Sequence, residues 1–262
     1  MINRIVLGVC YDGSRYHGWQ HQEEVSTVQE TLEHALSRVA DQPVTVVCAG
    51  RTDAGVHATA QVVHFDTEAH RTERSWLFGA NSNLPADISV SFAKVTAPEF
   101  HARFSALSRT YRYILCNQPV RPGVFQKTVS WYYKSLDVER MQKAAQYLLG
   151  EHDFSAFRGS GCQAHHAVRT IHQLTVKKQG RLVVVEVTAN AFLLHMVRNI
   201  VGVLLAIGVG EKNPEWASEV LNSCDRRRGA VTSPPNGLYL VDVEYPAHFN
   251  LPKEPKGPFF LD

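Results

Sequence analysis

The order in which hydrophobic periodicities follow one another constrains this 262-residue chain most. Residues 5–11 alternate weakly as a strand, and Asp12-Gly13-Ser14 closes them with turn chemistry. Thr27-x-x-Glu30 forms a capping box, and Val28, Leu32, Ala35, Leu36 and Val39 recur at helical spacing, which predicts an amphipathic helix over 27–39. Strands are expected at 44–47 and 61–65, a second helix around Trp76, Leu77 and Phe78 ending before Leu84-Pro85, and a strand at 88–95. The first half therefore reads β-α-β-β-α-β.

The second half repeats that order less plainly. Strands are expected at 111–116 and 129–133, a helix capped by Asp137 and running through Leu149, and a hairpin of 170–178 with 182–187 around Gln179-Gly180. Residues 192–207 are apolar on nearly all sides, which predicts a buried helix, and 238–243 supplies a closing strand. The expectation is an α+β fold: two ferredoxin-like split β-α-β modules forming a mixed, mainly antiparallel sheet with helices, and a cleft between the halves. The modules are placed at 1–105 and 106–262, and because no low-complexity linker separates them the halves are expected to share an interface.

With 44% hydrophobic and 20% charged residues the chain can bury a core without staples. Five cysteines, widely spaced and without a Cys-x-x-Cys pair, suggest neither a disulfide framework nor a zinc ribbon, and fit a reducing cytoplasm. The longest apolar stretch, 200–209, is far short of a membrane span, and no export signal is read at the start. Net charge is only +2, yet its distribution is uneven. Residues 158–181 carry Arg158, Arg169, Lys177, Lys178 and Arg181 without a carboxylate, and 100–121 carry Arg103, Arg109, Arg112 and Arg121 interleaved with Phe104, Tyr111 and Tyr113. Basic side chains alternating with aromatics suit a polyanion whose bases stack on ring faces.

One run concentrates chemistry. Cys48-Ala49-Gly50-Arg51-Thr52-Asp53-Ala54-Gly55-Val56-His57-Ala58 sets a carboxylate beside a guanidinium in a glycine-flanked turn that leads into an apolar strand. Taken alone, an Asp in such a turn usually satisfies its own backbone amides. Arg51 and Asp53 are two residues apart, so in extended backbone they leave on the same face. Arg198 lies on the apolar helix, where a charge is costly unless it is paired with an acid. None of the 13 histidines is spaced with Asp, Glu or Cys as a metal site would need.

Four runs together resemble the tRNA pseudouridine synthase I (TruA) family: Tyr11-Asp12-Gly13 with Tyr16 and Gly18-Trp19-Gln20; residues 50–58; Arg109-Thr110-Tyr111-Arg112-Tyr113; and Asn190-Ala191-Phe192 with Met196-Val197-Arg198-Asn199-Ile200-Val201-Gly202. Gly237-Leu238-Tyr239-Leu240 and the Pro-rich tail are similar too, so the resemblance spans essentially the whole chain. It implies an isomerase that converts uridine to pseudouridine at positions 38, 39 and 40 of the tRNA anticodon stem-loop. It further implies a homodimer and neither cofactor nor catalytic metal; the cysteine usage and the apolar runs above add the expectation of a cytoplasmic protein without membrane association.

Residue by residue, the resemblance makes Asp53 the catalytic carboxylate, acting on C1′ of the ribose, on C6 of uracil, or as the base that gives a glycal. It makes Arg198 the counter-charge of that carboxylate, Tyr111 the ring stacked on the target base, Arg51 the group that fills the gap left by the flipped-out uridine, and Leu238 an apolar wall. Arg71, His101, Arg103, Gln163 and His165 fall on stretches that contact tRNA in the family; in the 161–166 loop this chain has Gln163-Ala164-His165-His166 where many relatives carry a basic residue. The alternative is a non-catalytic tRNA-binding or folding module in which Asp53 only structures a turn. A base-excising glycosidase would need a second carboxylate, and Asp12, Asp87 and Glu186 sit in no comparable constellation.

Overall fold

A computed structural model describes residues 2–261, and among them the chain forms ten strands and five α-helices. They fall into two compact units, residues 1–109 with 239–262, and residues 110–238. Against the expected division at 1–105 and 106–262, the boundary lies four residues later and the chain's last segment belongs with the first unit. The last strand returns to the first unit, because Tyr239 and Leu240 pair in parallel with His57 and Ala58.

In the first unit the strand order is β4 (Ile88–Thr96), β1 (Asn3–Tyr11), β3 (His57–Thr67), β10 (Leu238–Glu244), with β2 (Val47–Cys48) also beside β3. β1 is antiparallel to both neighbours, with Ile5 opposite Phe65 and Val95. Its side chains are buried on both faces, which explains why its alternation is weak: Val6 enters a cluster with Ala49, Val62, Phe100, Ala102 and Phe249. Helix α1 (Val28–Ala40) begins where Thr27 Oγ1 accepts the Glu30 amide, a cap contributing about 1 kcal/mol. It buries Val28, Leu32 and Leu36, each stabilising by about 1.5–3 kcal/mol. Helix α2 (Glu73–Asn83) packs on α1 and on β4, and sets Trp76 edge-on to Phe65 at 5.1 Å.

The strand expected at 44–47 shrinks to Val47–Cys48 because α1 takes the preceding amides: Ser37 Oγ accepts from Val44 N, and Glu33 Oε1 from Val46 N, both at 2.9 Å. The ladder starts only when those side chains are out of reach.

In the second unit the order is β5 (Ser108–Asn117), β9 (Leu182–Ala189), β8 (Val168–Gln179), β7 (Gly150–Asp153), with β6 (Ser130–Tyr132) parallel to β5. β8 and β9 form the expected hairpin, closed at Gln179 and Leu182 with Gly180 at φ 59°. Helix α3 (Val138–Gln146), capped by Asp137, packs on β8 and on α4 (Met196–Gly208). α3 stops before Leu149, as the 147–149 amides tighten onto carbonyls three residues back. α4 buries 11 of its 13 residues, as its unbroken apolar run predicts. It starts four residues later than expected, because His195 takes a left-handed φ of 59° and turns the chain there. Helix α5 (Trp216–Ser223) and strand β7 were not read from periodicity, being short.

Candidate active site

Three glycines and a buried amide shape the loop that carries Asp53. Gly18 has φ 93°, and a Cβ there would lie 2.8 Å from the Thr52 carbonyl oxygen, so only glycine lets the chain pass this close. The Trp19 amide then donates to that same Thr52 oxygen at 3.0 Å, and the Gly55 amide to Tyr16 O at 3.3 Å. A Cβ on Gly13 would collide with the Val56 carbonyl, while its amide donates to Nδ1 of the buried His57 at 3.1 Å. Gly55, at φ 76°, lets the loop turn back, and Val56 N donates to Asp53 O at 3.1 Å.

From the other side, the fully buried Gln61 brackets Gly50, donating to its carbonyl at 2.6 Å and accepting from its amide at 3.4 Å. Thr52 Oγ1 lies 2.8 Å from the Tyr11 hydroxyl, which also receives the Gln61 amide at 3.4 Å. The loop is thus tied to β1, to the 16–19 turn and to β3, and the backbone from which Asp53 projects is held in place. Asp53 is half-buried, Thr52 buried and Arg51 exposed.

The remaining first-unit candidates lie on two other segments. Arg71 is exposed, and its guanidinium donates to Val39 O at 3.0 Å and His70 O at 3.1 Å, completing the C-terminal turn of α1. His101 and Arg103 share a turn that His101 organises: its Nδ1 accepts the amides of Arg103 and Phe104, both at 3.2 Å, and its ring lies 4.4 Å from that of Phe104. Phe104 is 75% exposed beneath the Arg103 guanidinium. Its exposure between a histidine and an arginine makes it a surface on which a planar group can stack.

In the second unit, Tyr111 is 8% exposed on β5, edge-on to Phe192 at 4.9 Å. Two residues along the same strand, the Tyr113 hydroxyl donates to Pro234 O at 2.8 Å and lies 2.7 Å from Ser130 Oγ. Burial pushes the Tyr113 hydroxyl up to about 12, with the Ser130 hydroxyl and Arg198 opposing the rise, so it keeps its proton at neutral pH. Arg198 Nε donates to Ser233 O at 2.8 Å, and Ser233 N returns a bond to Arg198 O at 3.2 Å. Gly202, one turn along α4, leaves room for the segment 230–237, since a Cβ there would strike the Val231 carbonyl.

The strap 230–237 is therefore held by α4 on one side and β5 on the other, and delivers the buried Leu238. Arg226 and Thr232 both bond Asn199 Oδ1, at 3.0 and 2.6 Å, which anchors the strap's start. Gln163 and His165 are exposed on a loop braced by Arg158, whose Nη2 donates to Cys162 O and Ala164 O at 2.6 and 2.8 Å.

Sequence reasoning gave no holding role to the residues that fix these loops: Thr52, His57, Asn199 and Tyr113 stood only as members of quoted runs, and Gln61 only as the start of a strand. The glycine-rich runs at 11–20 and 50–58 were the visible signal, because paired glycines far apart in sequence mark two backbones in close approach. Among the described residues no three His, Cys, Asp or Glu side chains gather as a metal site would need, and no helix is long and apolar enough to cross a membrane.

Comparison with known proteins adds an independent line. A family model described as tRNA pseudouridine synthase matches residues 9–105 and 144–246. A tRNA pseudouridine synthase A of Coxiella burnetii (strain Dugway 5J108-111) is 62% identical over 258 residues, 98% of this chain and 99% of the relative. The protein of that name in Pseudomonas aeruginosa is 56% identical over 261 residues, 99% and 92% of the two chains, and that of Vibrio cholerae serotype O1 is 56% identical over 258 residues, 98% of each.

Proposed function

The chain belongs to the tRNA pseudouridine synthase family and is an isomerase of tRNA uridine, and from that premise we propose that it acts at positions 38, 39 and 40 of the anticodon stem-loop with Asp53 as its catalytic carboxylate. The reaction breaks the N1–C1′ bond of uridine, turns the uracil and joins C5 to C1′. N1 ends with a proton and C5 releases one, so atoms balance without a redox partner. Attack at C1′, addition at C6 and abstraction of a ribose proton all begin from an ionised carboxylate aimed at a nucleoside drawn out of its stack.

What supports Asp53 is the rigidity of its loop, with close approach at Gly18, the Thr52–Tyr11 contact and the Gln61 bracket all on residues 50–56. A turn needed only for chain reversal has no use for that bracing. In this reading Arg198 supplies counter-charge, oriented by its Nε bond to Ser233, Tyr111 offers its ring to the uracil, and Leu238 excludes water. Arg51 occupies the vacancy in the RNA stack, offsetting part of the few kcal/mol that extrusion costs. Arg71, His101, Arg103, Gln163 and His165 grip the rest of the stem-loop. The protein works as a homodimer in the cytoplasm, which sedimentation of the pure protein and localisation of a tagged chain would test.

The deciding experiment is pseudouridine mapping of tRNA incubated with wild-type protein or Asp53→Ala. Wild type should convert uridines 38–40 and release the C5 hydrogen, and Asp53→Ala should bind tRNA with near-unchanged affinity and convert none. Conversion by the variant at the wild-type rate would remove Asp53 from the chemistry; absence of conversion by either protein would leave a binding module.

A further inference from the structure

Residues 97–107 link β4 to β5 without a strand or helix, yet side chains from distant elements take up their backbone polar groups. Arg4, paired with Asp66 at 2.7 and 2.6 Å, donates through Nη1 to Pro98 O and to Phe100 O at 2.7 Å. His64 Nδ1 accepts the Ala102 amide at 3.1 Å, and the Tyr245 hydroxyl donates to Ala102 O at 2.6 Å. Phe100, fully buried, packs against the rings of Tyr245 and Phe249, each at 5.0 Å.

Arg109 completes this set and reaches beyond it. Its Nη2 donates to Arg103 O at 2.6 Å and its Nη1 to Ala106 O at 3.3 Å. The same guanidinium donates to Ala49 O, from Nη2 at 2.9 Å and Nε at 3.3 Å. Ala49 is the residue before the Gly50 that Gln61 brackets, at the root of the Asp53 loop. One 9% exposed cation therefore joins three carbonyls from two segments.

We propose that Arg109 is a positioning residue that locks the 97–107 turn and the Asp53 loop into one rigid frame, so that RNA held at His101 and Arg103 is held in register with the carboxylate. The inference rests on the reading of Asp53 and of the turn given above. A buried guanidinium is tolerable only while its donors stay satisfied, so neither segment can drift without uncovering it. Its planar fork is what allows three acceptors to be served at once; a lysine ammonium, a point charge on a flexible stem, keeps the charge but not the geometry.

Native-state hydrogen exchange tests the frame without any variant. The Val56 amide, bonded to Asp53 O, and the Ser105 amide, bonded to His101 O, report on the two segments. In the wild-type protein they should open with a common free energy. Independent opening of the two would overturn the proposal. In Arg109→Lys the two openings should separate, and single-turnover conversion at saturating tRNA should fall about 10- to 100-fold while tRNA affinity stays within about threefold.

Tyr245→Phe removes one bond to the turn, at Ala102 O, and leaves the Arg109 fork intact, so it should keep the two openings coupled and spare the saturated rate; separate openings in this variant would overturn the assignment to Arg109. A folded Arg109→Lys with a rate within about twofold of wild type, or with a loss confined to KM, would refute the role. If wild-type protein makes no pseudouridine, the functional reading fails, while the exchange experiment still decides the frame.

Discussion

His64 shows at the scale of one residue how this protein uses chemistry away from the reacting bond. Its ring is buried beside Phe100 and the ring of His101, and its Nδ1 serves the Ala102 amide only while unprotonated. Burial first, then Arg4 and His101, lower its pKa from the usual histidine value to about 4. The folded protein thus binds fewer protons than the unfolded chain between about pH 4 and 6.5, so stability falls as pH drops through that window and levels off below it. Urea midpoints measured from pH 7 to 4 should decline, and His64→Gln should flatten the decline; a parallel curve in the variant would assign the effect elsewhere. None of this was legible in the sequence, where His64 is one histidine among 13 and its partner lies 38 positions away. Asp53 stood out because its neighbours are glycines and Arg198 because it is a charge on an apolar helix, whereas the parts given to Tyr111 and Leu238 came from resemblance, since an aromatic on a strand or a leucine before a tyrosine carries no signature of its own.

Among elements, those with strong local periodicity were the readable ones. α1 and the β8–β9 hairpin have their caps and turn residues written next to their apolar stripes. The failures occur where tertiary partners override the local pattern: Glu33 and Ser37 claim the amides before β2, and the left-handed His195 delays α4. The 16–19 turn shows the same dependence in reverse. Its shape follows from what it must approach, since Gly18 abuts the Thr52 and Asp53 backbone. Gly18→Ala combines a strained φ with that close contact, and should destabilise the protein by about 1–3 kcal/mol while lowering the isomerisation rate more than tRNA affinity. Thermal unfolding beside single-turnover kinetics would check this, and a variant losing stability without any change in rate would show that the turn does not aim the Asp53 loop.

For the whole molecule, a net charge of +2 gives little long-range attraction, so affinity for RNA must come from local exposed cations such as Arg103, Arg121, Lys177, Lys178 and Arg181; Arg109, spent on backbone carbonyls, and Arg112, paired with Glu186 at 2.6 Å, drop out of the cluster read at 100–121. If some four phosphates are neutralised, tRNA affinity should drop by about two orders of magnitude between 50 and 200 mM salt, measured by filter binding, and a flat response would argue against backbone grip. The chain's order of assembly follows from the return of residues 239–262 to the first unit. On the ribosome the segment 110–238 must be made before Tyr239 can reach His57 or Phe249 can cover Phe100, a wait on the order of ten seconds. Through that interval the newborn amino-terminal half has an open sheet margin at His57–Ala58 and an uncovered aromatic nest, so it is then that a chaperone or an unwanted neighbour finds it.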